Sequence, residues 1–207
     1  MIARVPVKGY FEVNCYVWVD DESKHGFLID PGAQGHELMQ LCREQGWIIE
    51  KILLTHGHFD HIGGIAAIRE EADIPVYIHE AGKVYLADTH LNLSRYCHCD
   101  MTVHNAKYFR DGDIFCLDSN PSSFLRVIHT PGHTPDSVVF YDEEHSTAFV
   151  GDTIFKGSRG NDQYPGGNGR LLLQSIRQRI LILPNETRLF SGHSDETTVG
   201  AEKIHYF

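Results

Sequence analysis

The stretch "THGHFDH" (residues 55–61) places three histidines and an aspartate within six consecutive positions, directly after a β-type apolar run. Alternate residues at the end of a strand point the same way, so His56 and His58 can converge on one cation. Asp60 and His61 lie where the next helix is expected to begin, and their side chains can face a position next to that cation. Imidazole suits zinc and iron, and a carboxylate also accepts harder ions. The stretch therefore predicts a metal site.

The spacing differs from that of the helical zinc proteases, whose HExxH motif sets two histidines one helical turn apart around a glutamate. A single HxH would be better interpreted as a solvated polar turn. Four ligand-type residues in this order favour metal binding instead.

Three later residues support the same interpretation, because each follows a β-type run and stands beside a glycine. They are His133 in "TPGHTPDS", Asp152 in "GDTIF" and His193 in "SGH". Glycine at a strand end permits a tight turn that directs a side chain into a cleft. Taken singly, these would be ordinary turn or cap residues. Together with the first cluster they supply what two metal ions need.

Bulk composition restricts the function classes. The chain has 207 residues, which suits one domain spanning 1–207. Its net charge of −10 and the absence of a Lys/Arg-rich run argue against a nucleic-acid partner. No apolar stretch reaches signal-peptide or membrane-span length, so a cytoplasmic protein without membrane contact is expected. Five cysteines, an odd number without a repeated CxxC, are interpreted as thiols.

Strands and helices alternate along the chain in two similar halves, which predicts sheets covered by helices in a layered α/β fold. The pattern indicates strands at 12–20, 26–30, 48–55, 114–117, 124–130, 137–141, 147–150 and 188–191. It indicates helices at 36–45, 61–71, 171–183 and 197–205. The segment 83–110 has poor periodicity and is expected to be a helix-and-loop insertion.

The motifs "THGHFDH", "TPGHTPDS", "GDTIF" and "SGH" together resemble the metallo-β-lactamase superfamily, in its motif order and over nearly the whole chain. The resemblance implies a four-layer αβ/βα sandwich with two divalent metal ions at one edge. It implies zinc as the expected metal, with iron or manganese as alternatives. It further implies one metal held by His56, His58 and His133, the other by Asp60, His61 and His193, and Asp152 as the bridge.

Two cations about 3.5 to 4 Å apart can share a water and lower its pKa, giving a bridging hydroxide at pH 7 that attacks a polarised carbonyl. In this scheme Asp60 and Asp152 are the catalytic carboxylates. Asp152 fixes the metal spacing, and Asp60 orients the nucleophile as well as binding metal.

Within the superfamily, "GDTIFKGSRGNDQYPGGNGRLLLQSI" (151–176) and "LFSGHSDETTVGAEK" (189–203) most resemble the glyoxalase II group. That group hydrolyses S-lactoylglutathione. The chain ends soon after its last motif, so it resembles the short, single-domain glyoxalase II-like (hydroxyacylglutathione hydrolase-like) proteins. A small-molecule thioester or ester is the expected substrate. Lys156, Arg159 and Tyr164, in the long loop after Asp152, are candidate substrate contacts.

Three alternatives stay open at this stage. A persulfide dioxygenase of the same fold also resembles the sequence, because that group keeps the same histidines and binds one iron through positions matching His56, His133 and Asp152; the motifs alone do not exclude it. A hydrolase acting on another ester, such as a lactone, would use the same site. A scaffold without turnover is disfavoured, because a structural site needs only four ligands. The oligomeric state and the role of Cys97 and Cys99 are not indicated by the sequence.

Overall fold

Two six-stranded sheets lie face to face in the computed structural model, which describes residues 1–206. The first sheet runs in chain order: β1 (Ile2–Lys8), β2 (Glu12–Val19), β3 (His25–Ile29), β4 (Ile48–Leu53), β5 (Val76–His79) and β6 (Lys107–Phe109). Strands β1 to β3 pair antiparallel, and β3 to β6 pair parallel.

The second sheet has the spatial order β14-β13-β10-β9-β8-β7. Its strands are β7 (Ile114–Cys116), β8 (Phe124–His129), β9 (Val138–Asp142), β10 (Thr147–Gly151), β13 (Arg188–Ser191) and β14 (Thr197–Thr198). Only β10 and β13 pair parallel among these described strands. A separate hairpin of β11 (Ile154–Phe155) and β12 (Ser158–Arg159) follows β10.

Helices cover the outer faces of both sheets. The α-helices are α1 (Gly35–Gln45), α2 (Phe59–Ile62), α3 (Ile65–Glu71), α4 (Lys83–Ala87), α5 (Gly169–Ser175) and α6 (Val199–Lys203). Helix α5 continues into a π-helical turn (Ile176–Ile180), and 3₁₀ turns occupy Glu80–Gly82 and Ser94–Cys97. None of the helices formed by residues 1–206 has the length and apolar composition needed to cross a bilayer.

The strands that bury both faces show how the layers form. In β2, Cys15 and Val17 pack with the helices, while Tyr16 faces the second sheet. In β9, Phe140 lies between the sheets and Val139 packs against the α5 side. Side chains alternate along a strand, so each of these strands contributes to two cores at once. The result is the four-layer αβ/βα sandwich that the family resemblance implied.

Three cores fill the spaces between the layers. Leu38 of α1 and Ile65 of α3 pack on the outer face of the first sheet. An aromatic core that includes Phe27 fills the space between the sheets. Leu172 of α5 and Ile176 of the π turn pack on the outer face of the second sheet. Seven residues predicted to bind metal, which we call the metal-type residues, lie at one edge of this sandwich, where the strand ends of both sheets meet. They are His56, His58, Asp60, His61, His133, Asp152 and His193.

The predicted helix 61–71 is divided into α2 and α3 by Gly63 and Gly64. A Cβ at Gly63 would overlap the carbonyl oxygen of Gly32, and one at Gly64 would lie 2.7 Å from the carbonyl oxygen of Pro31. The two glycines therefore let this turn approach the segment after β3 at backbone contact distance. The division separates the metal-type residues of α2 from the packing residues of α3.

Other elements depart from the sequence-based expectations. Strands β1 and β5 were not predicted, and the insertion 83–110 contains the short parallel strand β6 beside α4. The predicted helix 171–183 begins earlier, at Gly169, where the side chain of Asn168 accepts a hydrogen bond from the Leu171 N–H. All five cysteines are free thiols, as expected.

Candidate functional site

The candidate site is built at the ends of four strands, which converge at one edge of the sandwich. Residues 55–61 follow β4, His133 lies in the loop after β8, Asp152 follows β10, and His193 follows β13. The turn at Gly151 requires φ +49°, and a Cβ there would overlap Thr55 Oγ1. Only glycine brings β10 this close to the histidine-rich turn.

Three histidines form the first cluster. His58 Nδ1 lies 3.1 Å from His56 Nε2 and 3.0 Å from His133 Nε2, and the two Nε2 atoms lie 3.3 Å apart. All three rings are buried, with exposures of 1 to 2%. Three imidazole nitrogens facing one point are the donor set of a His₃ metal site.

The second cluster combines Asp60, His61 and His193. His193 Nε2 lies 3.1 Å from Asp60 Oδ2, and the ligand-type atoms of the three residues lie within 4.8 Å of one another. His61 is fully buried, whereas the His193 side chain is 25% exposed. The second cluster is thus the more solvent-accessible of the two.

Asp152 lies between the clusters. Its Oδ1 is 3.5 Å from His61 Nε2, and its Oδ2 is 3.7 Å from His133 Nε2 and 3.5 Å from His193 Nε2. One carboxylate therefore faces histidines of both clusters. All seven residues singled out in the sequence are brought together at this edge.

Four of the five histidines are oriented through the other ring nitrogen, beginning with His56, whose Nδ1 lies 3.2 Å from Thr55 Oγ1. His61 Nδ1 donates to Asp30 Oδ2 at 2.9 Å, and His133 Nδ1 donates to the Asn161 carbonyl at 2.7 Å. His193 Nδ1 donates to the Glu12 carbonyl at 2.9 Å. Such partners fix ring orientation and the tautomer that binds metal.

Asp30 was not identified from the sequence as a site residue. It lies at the end of β3 and is buried, accepting from the Thr55 N–H and hydroxyl as well as from His61. The available signal was its position: β3 pairs parallel with β4, so their carboxyl ends meet at the same edge. Asn161 contributes a backbone oxygen, which residue type alone cannot reveal.

Burial and neighbouring charges set the protonation of the cluster. Burial lowers the pKa of His56, as does the neighbouring His61, and burial together with His133 lowers the pKa of His58 to about 3. Both rings are therefore neutral at pH 7, which is the form that binds a cation.

The Asp152 carboxylate, which lies between the two clusters, is ionised. Burial alone would raise the pKa of Asp152, but His61 and then His193 outweigh it and hold that pKa well below its usual range. Burial opposes a charge on His61, but Asp152 and Asp30 raise its pKa well above the usual value. A cation bound by His61 Nε2 must displace that proton, so binding releases a proton.

The donor set fits a pair of divalent cations. His61 Nε2 and Asp152 Oδ1 are buried without a hydrogen-bond partner in the described chain, although both belong to the cluster. A buried polar atom without a partner costs roughly 1 to 3 kcal/mol, which a bound ligand would offset. Imidazole and carboxylate donors suit zinc, iron and manganese.

The three candidate substrate contacts have different surroundings. Tyr164 lines a cavity of about 330 Å³ above the metal-type residues, and its ring lies 5.8 Å from that of His58. Arg159 forms an ion pair with Asp162 at 3.2 Å. The Lys156 N–H donates to Ser194 Oγ. Neither Lys156 nor Arg159 is among the described residues that line this cavity.

Comparison with known proteins identifies the family. Residues 9–193 match the model of the metallo-beta-lactamase superfamily. The chain is a member of that superfamily. Within it, the His/Asp clusters described above make the chain a metal-dependent hydrolase that binds divalent metal.

Two relatives within the superfamily align over nearly full length. "Probable metallo-hydrolase YqgX" of Bacillus subtilis is 39% identical, over 97% of this chain and 93% of its own. "Hydroxyacylglutathione hydrolase GloC" of Haemophilus influenzae is 31% identical, over 98% and 94%. Among solved structures, the BLEG-1 B3 metallo-beta-lactamase superposes with a TM-score of 0.91 at 35% identity, covering 100% of this chain and 98% of that one.

Proposed function

We propose that this chain hydrolyses thioesters of the hydroxyacylglutathione type with two divalent metal ions. The observation that carries the proposal is the position of Asp152, whose two carboxylate oxygens face histidines of both clusters at 3.5 to 3.7 Å. Similarity to the GloC hydrolase over 98% of this chain supports the choice of a thioester.

In this proposal His56, His58 and His133 hold one cation, Asp60, His61 and His193 the other, and Asp152 both. Two such cations supply a water of lowered pKa and stabilise negative charge on a carbonyl oxygen. Zinc is the proposed metal, and iron or manganese would suit the same donors.

The protein side chains then position the reactants. Asp60 lines the cavity and already accepts from His193, so its carboxylate can orient a water at the cavity floor. Tyr164 lines the opposite wall, where its phenol can hydrogen-bond to a substrate. The buried rings of His58 and His133 shield the floor from bulk water, which strengthens electrostatic interactions there.

A mononuclear iron dioxygenase would need only His56, His133 and Asp152. The assembly of Asp60, His61 and His193 within 4.8 Å supports a second metal. Because the dioxygenase group keeps the same histidines, metal content per chain separates the two functions. The matched variants are His61→Ala, which removes a ligand of the second metal, and His145→Ala, which removes a histidine whose side chain is 63% exposed.

The test combines metal content per chain with assays of S-lactoylglutathione hydrolysis, nitrocefin hydrolysis and oxygen uptake with glutathione persulfide. We expect two metals per chain and thioester turnover, with His145→Ala unchanged. His61→Ala should lower both metal content and turnover, the latter by about 100-fold or more. One iron per chain with oxygen uptake, or nitrocefin as the preferred substrate, would overturn the proposal.

A further inference from the structure

An apolar cavity of about 320 Å³ adjoins the cavity above the metal-type residues. The two share four lining residues, and the second is completed by Tyr96, Cys97 and Pro165. The shared residues are Phe11, Phe59, Leu93 and Tyr164. A molecule whose reacting group lies over the metals can therefore extend into the second cavity without crossing a wall of protein.

Aromatic side chains are exposed around this second cavity, which we call the aromatic rim, formed by Tyr10, Phe11, Tyr96 and Tyr164. Their exposed fractions are 65, 48, 62 and 40%. Phe11 contacts both Tyr10 and Phe59, with ring centroids 5.0 and 5.9 Å away. Exposed apolar surface concentrated beside a reactive site is typical of a ligand-binding groove.

Charge complements this shape. Among the described residues that line either cavity there is no lysine or arginine, and apart from the metal-type histidines the ionisable side chains with a carboxylate are Glu12, Asp60 and Asp152. The nearby cation Arg159 is paired with Asp162. Ionised glutathione carries two carboxylates, and away from the metal-type histidines neither cavity offers a lysine or arginine to receive them.

We infer that the preferred substrates are thioesters with an aromatic or other bulky apolar group, which binds in the aromatic rim in place of the glutathione peptide. This inference rests on the proposed thioesterase activity and narrows its substrate class: S-lactoylglutathione is hydrolysed, but less efficiently than a thioester with a bulky apolar group. Burial of a phenyl group against three or more aromatic rings removes apolar surface from water and gains affinity, whereas a carboxylate there would lose hydration.

The experiment compares four substrates on the metal-loaded enzyme. S-acetyl-N-acetylcysteamine is the small, uncharged reference, and S-lactoylglutathione is the charged one. S-phenylacetyl-N-acetylcysteamine carries the apolar group on the acyl side, and S-benzyl thioacetate carries it on the thiol side. We expect kcat/KM for at least one of the two phenyl substrates to exceed that of both references by about 10-fold or more.

Exposed tyrosines provide the variants. Tyr96→Ser, in the rim, should reduce the phenyl preference mainly through KM, and Tyr96→Lys should shift the preference towards S-lactoylglutathione. Tyr108→Ser removes a 48% exposed tyrosine of β6 that lines neither cavity and serves as the matched control. Calorimetry with the non-hydrolysable S-benzyl-N-acetylcysteamine gives a readout besides activity, and its Kd should rise in both Tyr96 variants but not in Tyr108→Ser.

The possible outcomes separate the two proposals. If no thioester is hydrolysed by the metal-loaded protein, the proposed function fails. If thioesters are hydrolysed but S-lactoylglutathione is preferred, or Tyr96→Ser leaves both the substrate ratio and the Kd unchanged, the rim inference is wrong and the thioesterase proposal stands.

Discussion

Replacing Asp30 by asparagine tests whether the groups behind the metal-type residues determine metal affinity. Asp30 Oδ2 accepts from His61 Nδ1 at 2.9 Å and from the Thr55 hydroxyl at 2.6 Å, while Oδ1 accepts from the Thr55 N–H at 2.8 Å. Asparagine keeps the shape but has one acceptor oxygen, so an NH₂ group must face at least one of these donors. The negative charge beside His61 is also lost.

Loss of such a partner typically costs 10- to 100-fold in metal affinity, or about 1.4 to 2.7 kcal/mol. We expect Asp30→Asn to lower the zinc affinity of the cluster that contains His61 by that factor. The affinity is measured by competition with a chromophoric chelator. The other cluster should change less, because His58 and His133 do not contact Asp30.

Asp142→Asn is the matched control. Asp142 is also a buried carboxylate, and it accepts from Trp18 Nε1 at 2.8 Å at the far end of β9 from the His133 loop. Both variants should unfold at lower denaturant concentration, but only Asp30→Asn should bind zinc more weakly. Equal zinc affinity in all three proteins would refute the reasoning, as would equal weakening in both variants.

Three further predictions concern stability and site geometry. Burial would raise the pKa of Glu50, but hydrogen bonds from the N–H groups of Asp118 and Ser119 lower that pKa from 4.5 to about 2. The ionised Glu50 therefore stabilises the folded protein above pH 4.5, and this stabilisation is lost as the pH falls towards 2. Glu50→Gln should therefore lower the urea unfolding free energy by about 2 kcal/mol at pH 7 and by less at pH 3; an equal loss at both would contradict this. Gly192→Ala should reduce metal content with little change in fold, because its Cβ would overlap Asp152 Oδ1; full metal loading, checked by mass spectrometry and circular dichroism, would argue against it. Phe140→Ala, fully buried between the sheets, should cost about 3 to 5 kcal/mol in urea denaturation, and a loss under 1 kcal/mol would show that the core collapses around it.

The layered fold was predictable because several strands carry apolar residues on both faces, which predicts a strand buried between two layers. Where a strand is apolar at most positions, as in β9 (VVFYD) and β10 (TAFVG), its sequence predicts a buried strand irrespective of neighbours. Strand β1 was missed although its apolar and polar residues alternate, because Pro6 within the run weakens the prediction of a strand. The strand is held by residue-by-residue pairing with β2. That pairing depends on the partner strand rather than on local pattern.

The metal-type residues were predictable for a different reason: histidine and aspartate are themselves the side chains that bind such metals. Their supporting partners were less so, since Asn161 and Glu12 act through backbone oxygens that any residue could supply. The break between α2 and α3 was missed because Gly63 and Gly64 fit a helical pattern, and only the approach of residues 31–32 shows why they are needed. The ion pair of Arg159 with Asp162 was not predicted, because the two residues lie in a strand end and the following loop, where a three-residue spacing does not bring side chains together as it does in a helix.

The hydrogen bond from His193 to the Glu12 carbonyl joins positions 181 apart in the chain. The second cluster is therefore complete only when one of the last strands has docked beside one of the first, a late event for a contact of such long sequence separation. A chain still being synthesised can gather His56 and His58 but not this cluster. Under the proposed two-metal function, the second metal binds only after folding is finished, and hydrolytic capacity arises only in molecules whose two sheets have already closed on each other.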